Sequence, residues 1–121
     1  MTKTVLIAED NDLNLKLFND LLQIRGYRTI LVRDGSKVVE TLRKDRADLV
    51  LMDIQLPGIS GLDITKLIKA DEGLKNIPII AVTALAMKGD EQKIRDGGCD
   101  AYMSKPITVP VFMELVAKFL G

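Results

Sequence analysis

The residues of this chain whose types could do chemistry together fall in four short clusters, each at the end of an apolar run: Glu9-Asp10, Asp53, Thr83 and Ser104-Lys105-Pro106. Taken singly, each has a plain structural explanation. A carboxylate at such a position often caps a helix, and a lysine there is often a solvated charge. Brought together they are harder to explain that way. Three carboxylates repel one another, and desolvation raises the cost of keeping them ionised. A fold tolerates such a cluster when a cation binds among them, and the one ammonium of Lys105 offsets only part of the charge. The set implies a hard divalent ion with oxygen ligands, Mg²⁺ rather than Ca²⁺, since no EF-hand spacing occurs. Carboxylates around Mg²⁺ beside a lysine suit phosphoryl transfer, where positioning and neutralisation of the phosphoryl oxygens do most of the catalysis. A carboxylate can also be the nucleophile and become an acyl phosphate. Asp53 is the best candidate, because it ends the central apolar run and precedes the exposed loop Ile54 to Gly61.

Composition removes other chemistries. The 121 residues include no histidine, which excludes histidine triads, histidine general bases, histidine metal sites and phosphorylation on the chain's own histidine. The single cysteine, Cys99, excludes an internal disulfide and a CxxC pair and fits a reducing cytoplasm. Lysine plus arginine and aspartate plus glutamate both number 17, and a net charge of zero argues against holding nucleic acid by bulk charge. No apolar run approaches the roughly 20 residues of a membrane span, and the N-terminus carries no signal-peptide pattern.

The elements that must position these clusters alternate regularly. Strands are expected over 4–8, 27–32, 48–53, 79–83 and 101–104, and helices over 13–23, 36–44, 62–69, 90–96 and 110–120. The third strand is apolar without a break, which suggests burial on both faces and hence a parallel sheet. Five βα units give an α/β, doubly wound, five-stranded parallel sheet with helices on both faces. In such sheets ligands bind outside the carboxyl ends of the strands, where all four clusters fall. The first helix is expected to turn Leu13, Leu17, Phe18, Leu21 and Ile24 inward and to leave Leu15 exposed. The fourth helix has Ile94 as its one strong apolar anchor, which suits a bistable element. Cys99, Met87, Met103 and Met113 are expected to fill space.

In this order and at these spacings the clusters resemble those of receiver domains of two-component response regulators, over the whole length of the chain. Met52-Asp53 followed by Pro57 and Gly61, and Thr83-Ala84, complete the pattern. Ala8-Glu9-Asp10-Asn11, Ile54-Gln55-Leu56-Pro57 and Gly97-Gly98-Cys99 extend the likeness to single-domain bacterial regulators of the cell cycle and cell polarity.

The resemblance implies a flavodoxin-like receiver fold with strand order 2-1-3-4-5, and one domain over 1–121 with no output domain. It implies that Asp53 accepts a phosphoryl group from a phosphohistidine on a partner, a histidine kinase or a histidine phosphotransfer protein. Asp10, Asp53 and the backbone carbonyl of Gln55 would ligate Mg²⁺, and Glu9 would act through water. Lys105 would pair with a phosphoryl oxygen, Thr83 would turn its hydroxyl to the phosphoryl group, and Tyr102 would swing inward behind it. The Lys105-Pro106 bond is expected to be cis. The surface of the fourth helix, fifth strand and fifth helix would then engage protein targets. No nucleic acid, membrane or substrate turnover is expected beyond self-catalysed transfer and slow autodephosphorylation. Gln55 and Leu85 bear on that lifetime, and Leu85 cannot hydrogen-bond an attacking water. Asn11 and Leu15 are expected to help dock the donor.

A phosphorelay intermediate, or the receiver part of a longer regulator, would read similarly. A haloacid-dehalogenase-type phosphatase would need a DxD pair after the first strand, and Asp53 follows the third with Gln55 two residues on. A flavin-binding flavodoxin would need a phosphate cradle where Glu9-Asp10-Asn11-Asp12 would repel one.

Overall fold

The structure, a computed structural model, describes residues 2–84 and 88–120, and the side chains of all of these except 88–91. Leu85 and Met87 therefore lie outside the described residues. The chain runs β1 (Thr4–Ala8), α1 (Asp12–Ile24), β2 (Arg28–Val32), α2 (Val38–Lys44), β3 (Leu49–Asp53), α3 (Gly61–Ala70), β4 (Ile79–Thr83), α4 (Lys88–Asp96), β5 (Ala101–Ser104) and α5 (Val109–Leu120). A single 3-10 turn, Gly35–Lys37, precedes α2, and the Asp34 side chain accepts the Ser36 amide at its start.

The five strands form one parallel sheet in the order β2-β1-β3-β4-β5. Every residue of β1, β3 and β4 is buried, whereas the edge strands β2 and β5 are only partly so. This is the burial that unbroken apolar runs require of central strands covered on both faces. Alternation along the strands feeds two separate cores. Leu6, Val50, Met52 and Ala81 face α2, α3 and α4, and Ile64, Ile68 and Ile94 pack on them. Val5, Ile7, Leu51 and Ile80 face α1 and α5, and meet Leu15, Phe18, Leu22, Phe112 and Val116. Phe18 and Phe112 stack there with ring centroids 5.4 Å apart. Among the described residues no helix is long and apolar enough to cross a membrane.

Helix α1 turns Phe18 and Leu21 toward the core as expected but differs at its other apolar positions. Leu15 is buried, with 4% of its surface exposed, whereas Leu13 and Ile24 are 80% and 81% exposed and Leu17 is 39% exposed. The helix carries two apolar stripes, 13/17/24 and 15/18/22, and helical period alone cannot rank them. Phe18 decides, because its ring stacks on Phe112 and brings Leu15 and Leu22, three before and four after it, onto the sheet. A donor-docking role for Leu15 is thereby withdrawn. Smaller differences lie at element ends: Tyr27 and Asp48 precede their strands, and α4 begins at Lys88 rather than Asp90.

Candidate functional site

The sheet register brings the clusters together. Ala8 pairs with Met52, so Glu9 and Asp53 leave adjacent strands side by side. Asp53 pairs with Val82 and Thr83 with Ser104, so Thr83 and Lys105 follow along the same rim. The Lys105 amide donates to the Thr83 carbonyl at 2.7 Å, and the Lys105-Pro106 peptide is cis, as expected.

Glu9 is 1% exposed and Asp53 is 3% exposed, while Asp10 is exposed at the mouth. One carboxylate oxygen from each lies within 4.8 Å of the others. Lys105 spans the pair, with Nζ 3.0 Å from Glu9 Oε1 and 3.2 Å from Asp53 Oδ2. The contact with Asp53 is a hydrogen bond. That with Glu9 is close but poorly aligned, so Oε1 is a buried acceptor without a directed donor. The other oxygen of each carboxylate is held by backbone. Glu9 Oε2 accepts the amides of Asp10 at 3.1 Å and Asn11 at 3.3 Å, and Asp53 Oδ1 accepts the Gln55 amide at 2.9 Å. Asn11 in turn caps α1, its side chain accepting the Asn14 amide at 3.0 Å.

Charge at the site follows from this crowding. Burial foremost, and then the neighbouring Asp53, push the Glu9 carboxyl from 4.5 up to about 7, against the opposing pull of Lys105 and the Asn11 amide. Burial disfavours the Lys105 ammonium, but contact with Glu9 and the charge of Asp53 outweigh it and raise its pKa overall. Three carboxylates around one ammonium are short of positive charge, and Glu9 Oε1 is the atom that shows it. The donor set is all oxygen, two of its members buried and one open to solvent, which fits a hard cation that retains waters.

Thr83 is buried at the end of β4. Tyr102 is half-buried on β5, paired with Ala81 and packed against the core under α2, α3 and α4. The Arg95 guanidinium lies 5.7 Å over its ring. The Gln55 side chain is exposed, and its backbone is the part that reaches Asp53. Cys99 packs against the Thr65 hydroxyl at 3.7 Å, and burial pushes its thiol pKa up, as suits a space-filling residue.

Gly61, which the sequence marked as a loop residue and as part of the receiver pattern, has a packing role that the sequence reading did not assign. A Cβ there would lie 2.5 Å from the Asp53 carbonyl oxygen and 2.7 Å from the Ile54 Cα. Its amide donates to the Ile54 carbonyl at 3.0 Å, and the preceding Ser60 caps α3 by accepting the Asp63 amide. The backbone of α3 thus rests directly on the strand end that carries Asp53. A glycine directly after a Ser cap, where a helix former would serve, was the available signal.

The response regulator receiver domain family matches residues 5–117. The polar-differentiation response regulator DivK of Brucella ovis is 58% identical over 121 residues, covering 100% of this chain and 98% of the relative. DivK of Brucella anthropi is 57% identical over the same span and the same shares of both chains. Among solved structures, the receiver domain of sensor histidine kinase PA1611 from Pseudomonas aeruginosa superposes with a TM-score of 0.91 at 33% identity, covering 100% of this chain and 99% of that one. That structure holds a magnesium ion coordinated in its active-site cleft. The chemotaxis response regulator CheY4 of Vibrio cholerae shares the fold, with a TM-score of 0.92 at 20% identity over 98% of this chain and 99% of its own. Strand order, strand-end clusters and a likeness that spans the chain agree, and the chain belongs to the response regulator receiver domain family, closely related to DivK.

Proposed function

We propose that this chain is a single-domain phosphorylation switch in a histidine-to-aspartate relay. The observation that carries the reading is the buried Asp53 carboxylate at the end of β3, held by backbone on one oxygen and by Lys105 on the other. A carboxylate oxygen of Asp53 attacks the phosphorus of a partner's phosphohistidine. The N–P bond breaks, an acyl phosphate forms, and the electron pair leaves with the imidazole. Lys105 neutralises an oxygen of the transferred group, and the Thr83 hydroxyl is the next donor along the rim. Asp10, Asp53 and the Gln55 carbonyl are the groups that would hold Mg²⁺, with Glu9 acting through water. The ion, when bound, neutralises charge on the phosphoryl oxygens.

The donor approaches the end of α1 beside the site, where Asn11 and Leu13 are exposed. Output runs through α4, β5 and α5, with Tyr102 as the moving side chain, toward protein partners in the cytoplasm. The relation to DivK supports a part in cell-cycle or cell-polarity control. The chain turns over no external substrate.

Intact mass after incubation with acetyl phosphate, with and without Mg²⁺, tests the chemistry. A Mg²⁺-dependent gain of one phosphoryl group that Asp53→Ala abolishes is the expected result. No gain, or a gain that survives the substitution, overturns it.

A further inference from the structure

Helix α1 carries an apolar stripe that none of the described residues covers. Leu13, Leu17 and Ile24 are exposed and follow one another with Asp20 at spacings of four, three and four. This is the a/d spacing of a two-helix seam. At 1.5 Å per residue the stripe runs about 16 Å, the full length of the helix. Its far end, Ile24, lies at the end of α1 away from the acidic cluster, so contact with Asp53 does not by itself require it.

The charges along the stripe match their own reversal. Lys16 and Asp20 are both well exposed and pair within the helix at 2.7 Å. An antiparallel copy related by a two-fold between Phe18 and Asn19 sets Leu13 opposite Ile24 and Leu17 opposite Asp20. Lys16 then comes within one residue's rise of the other copy's Asp20, so the two internal ion pairs, one in each copy, can be exchanged for two across the interface. A parallel copy would instead stack Asp20 on Asp20. A polar residue in a seam fixes orientation at a cost in strength, and a net charge of zero adds no overall repulsion between copies.

We propose that this face docks a second copy of the chain, α1 against α1 in antiparallel sense. The contact is one helix wide, smaller than the roughly 800 Å² per partner of a stable interface, so the dimer is weak, with a Kd on the order of 0.1–1 mM. It shields Leu13 beside the acidic cluster. Resting on the function proposed above, self-association and donor docking therefore exclude one another.

Sedimentation velocity of the whole chain from about 10 μM to 1 mM tests the dimer without reference to phosphorylation. The mass is expected to rise from 13.4 kDa toward twice that value. Ile24→Lys, at a position too exposed to threaten folding, should weaken association about tenfold or more. Lys16→Glu should weaken it as well, and Lys16→Glu combined with Asp20→Lys should restore it. A wild-type mass that stays monomeric at the highest concentration overturns the proposal. So does association indifferent to Ile24→Lys, or a charge reversal that fails to restore it. A monomeric wild type whose Ile24→Lys variant takes phosphoryl groups from a histidine donor more slowly would assign the stripe to the donor instead.

Discussion

Gly61→Ala places a methyl group between α3 and the strand end that bears Asp53. Its two nearest neighbours are backbone atoms, the Asp53 oxygen at 2.5 Å and the Ile54 Cα at 2.7 Å, and neither can rotate away. The Met52 side chain, at 3.0 Å, closes the remaining direction. Ordinary van der Waals contact returns only if the start of α3 and the end of β3 separate by about 1 Å. Overpacking of this kind costs about 1–3 kcal/mol. Replacing glycine in the unfolded chain returns about 0.4–1 kcal/mol, which leaves a net loss of about 1–2 kcal/mol and a melting temperature lower by roughly 4–10 °C. The larger effect is on chemistry, because a 1 Å misplacement of a reacting group can cost about 100-fold in rate. Gly58→Ala is the matched control. Its φ of +86° makes the substitution strained, but nothing lies within 4 Å of the added methyl, so it should cost about 1 kcal/mol and leave Asp53 in place. Thermal melts and the rate of phosphoryl incorporation from acetyl phosphate, measured well below both melting temperatures, read the two effects separately. If Gly61→Ala accepts the phosphoryl group as fast as Gly58→Ala, the close approach at Asp53 does not set the site's geometry.

Glu9→Gln should alter the pH dependence of stability in metal-free buffer. The native carboxyl keeps its proton up to about pH 7 while the unfolded one loses it near 4.5, so the native state binds more protons across that window and this group's contribution falls as pH rises. Glutamine lacks that loss, and in urea titrations the variant should gain on the wild type by on the order of 2–3 kcal/mol between pH 4.5 and 8; parallel pH curves would refute the assignment. Phe112→Ala removes the fully buried ring stacked on Phe18 and should cost about 3–5 kcal/mol, whereas a loss under about 1 kcal/mol would mean that α5 is not anchored there. Cys99, buried and with its thiol pKa raised, should resist iodoacetamide at pH 8 until the chain unfolds; rapid native-state alkylation would contradict its burial.

The convergence of Glu9, Asp10, Asp53, Thr83 and Lys105 could be read from sequence, because parallel pairing of buried apolar runs leaves their carboxyl ends on one rim, whereas the strand order followed only from the likeness to receiver domains. What could not be read depends on contacts between elements distant in sequence. The inward face of α1 is chosen by a phenylalanine on α5, so the wrong stripe looked equally good. The grip of Gly61 on Asp53 is a backbone contact, marked in the sequence only by a glycine where a helix former would serve. The poor alignment of Lys105 with Glu9 Oε1 is a matter of angle, which spacing does not encode.

Among the described residues the two cores are separate clusters on opposite faces of the strands between them. Helices α1 and α5 rest on one side of the sheet and α2, α3 and α4 on the other. Substitutions that reshape the outer surface of α1 are therefore not transmitted to α4 by repacking, and each face can drift in sequence largely on its own. A duplicated gene of this design could acquire a new partner on one side of the sheet while keeping the old one on the other, with the acidic rim common to both.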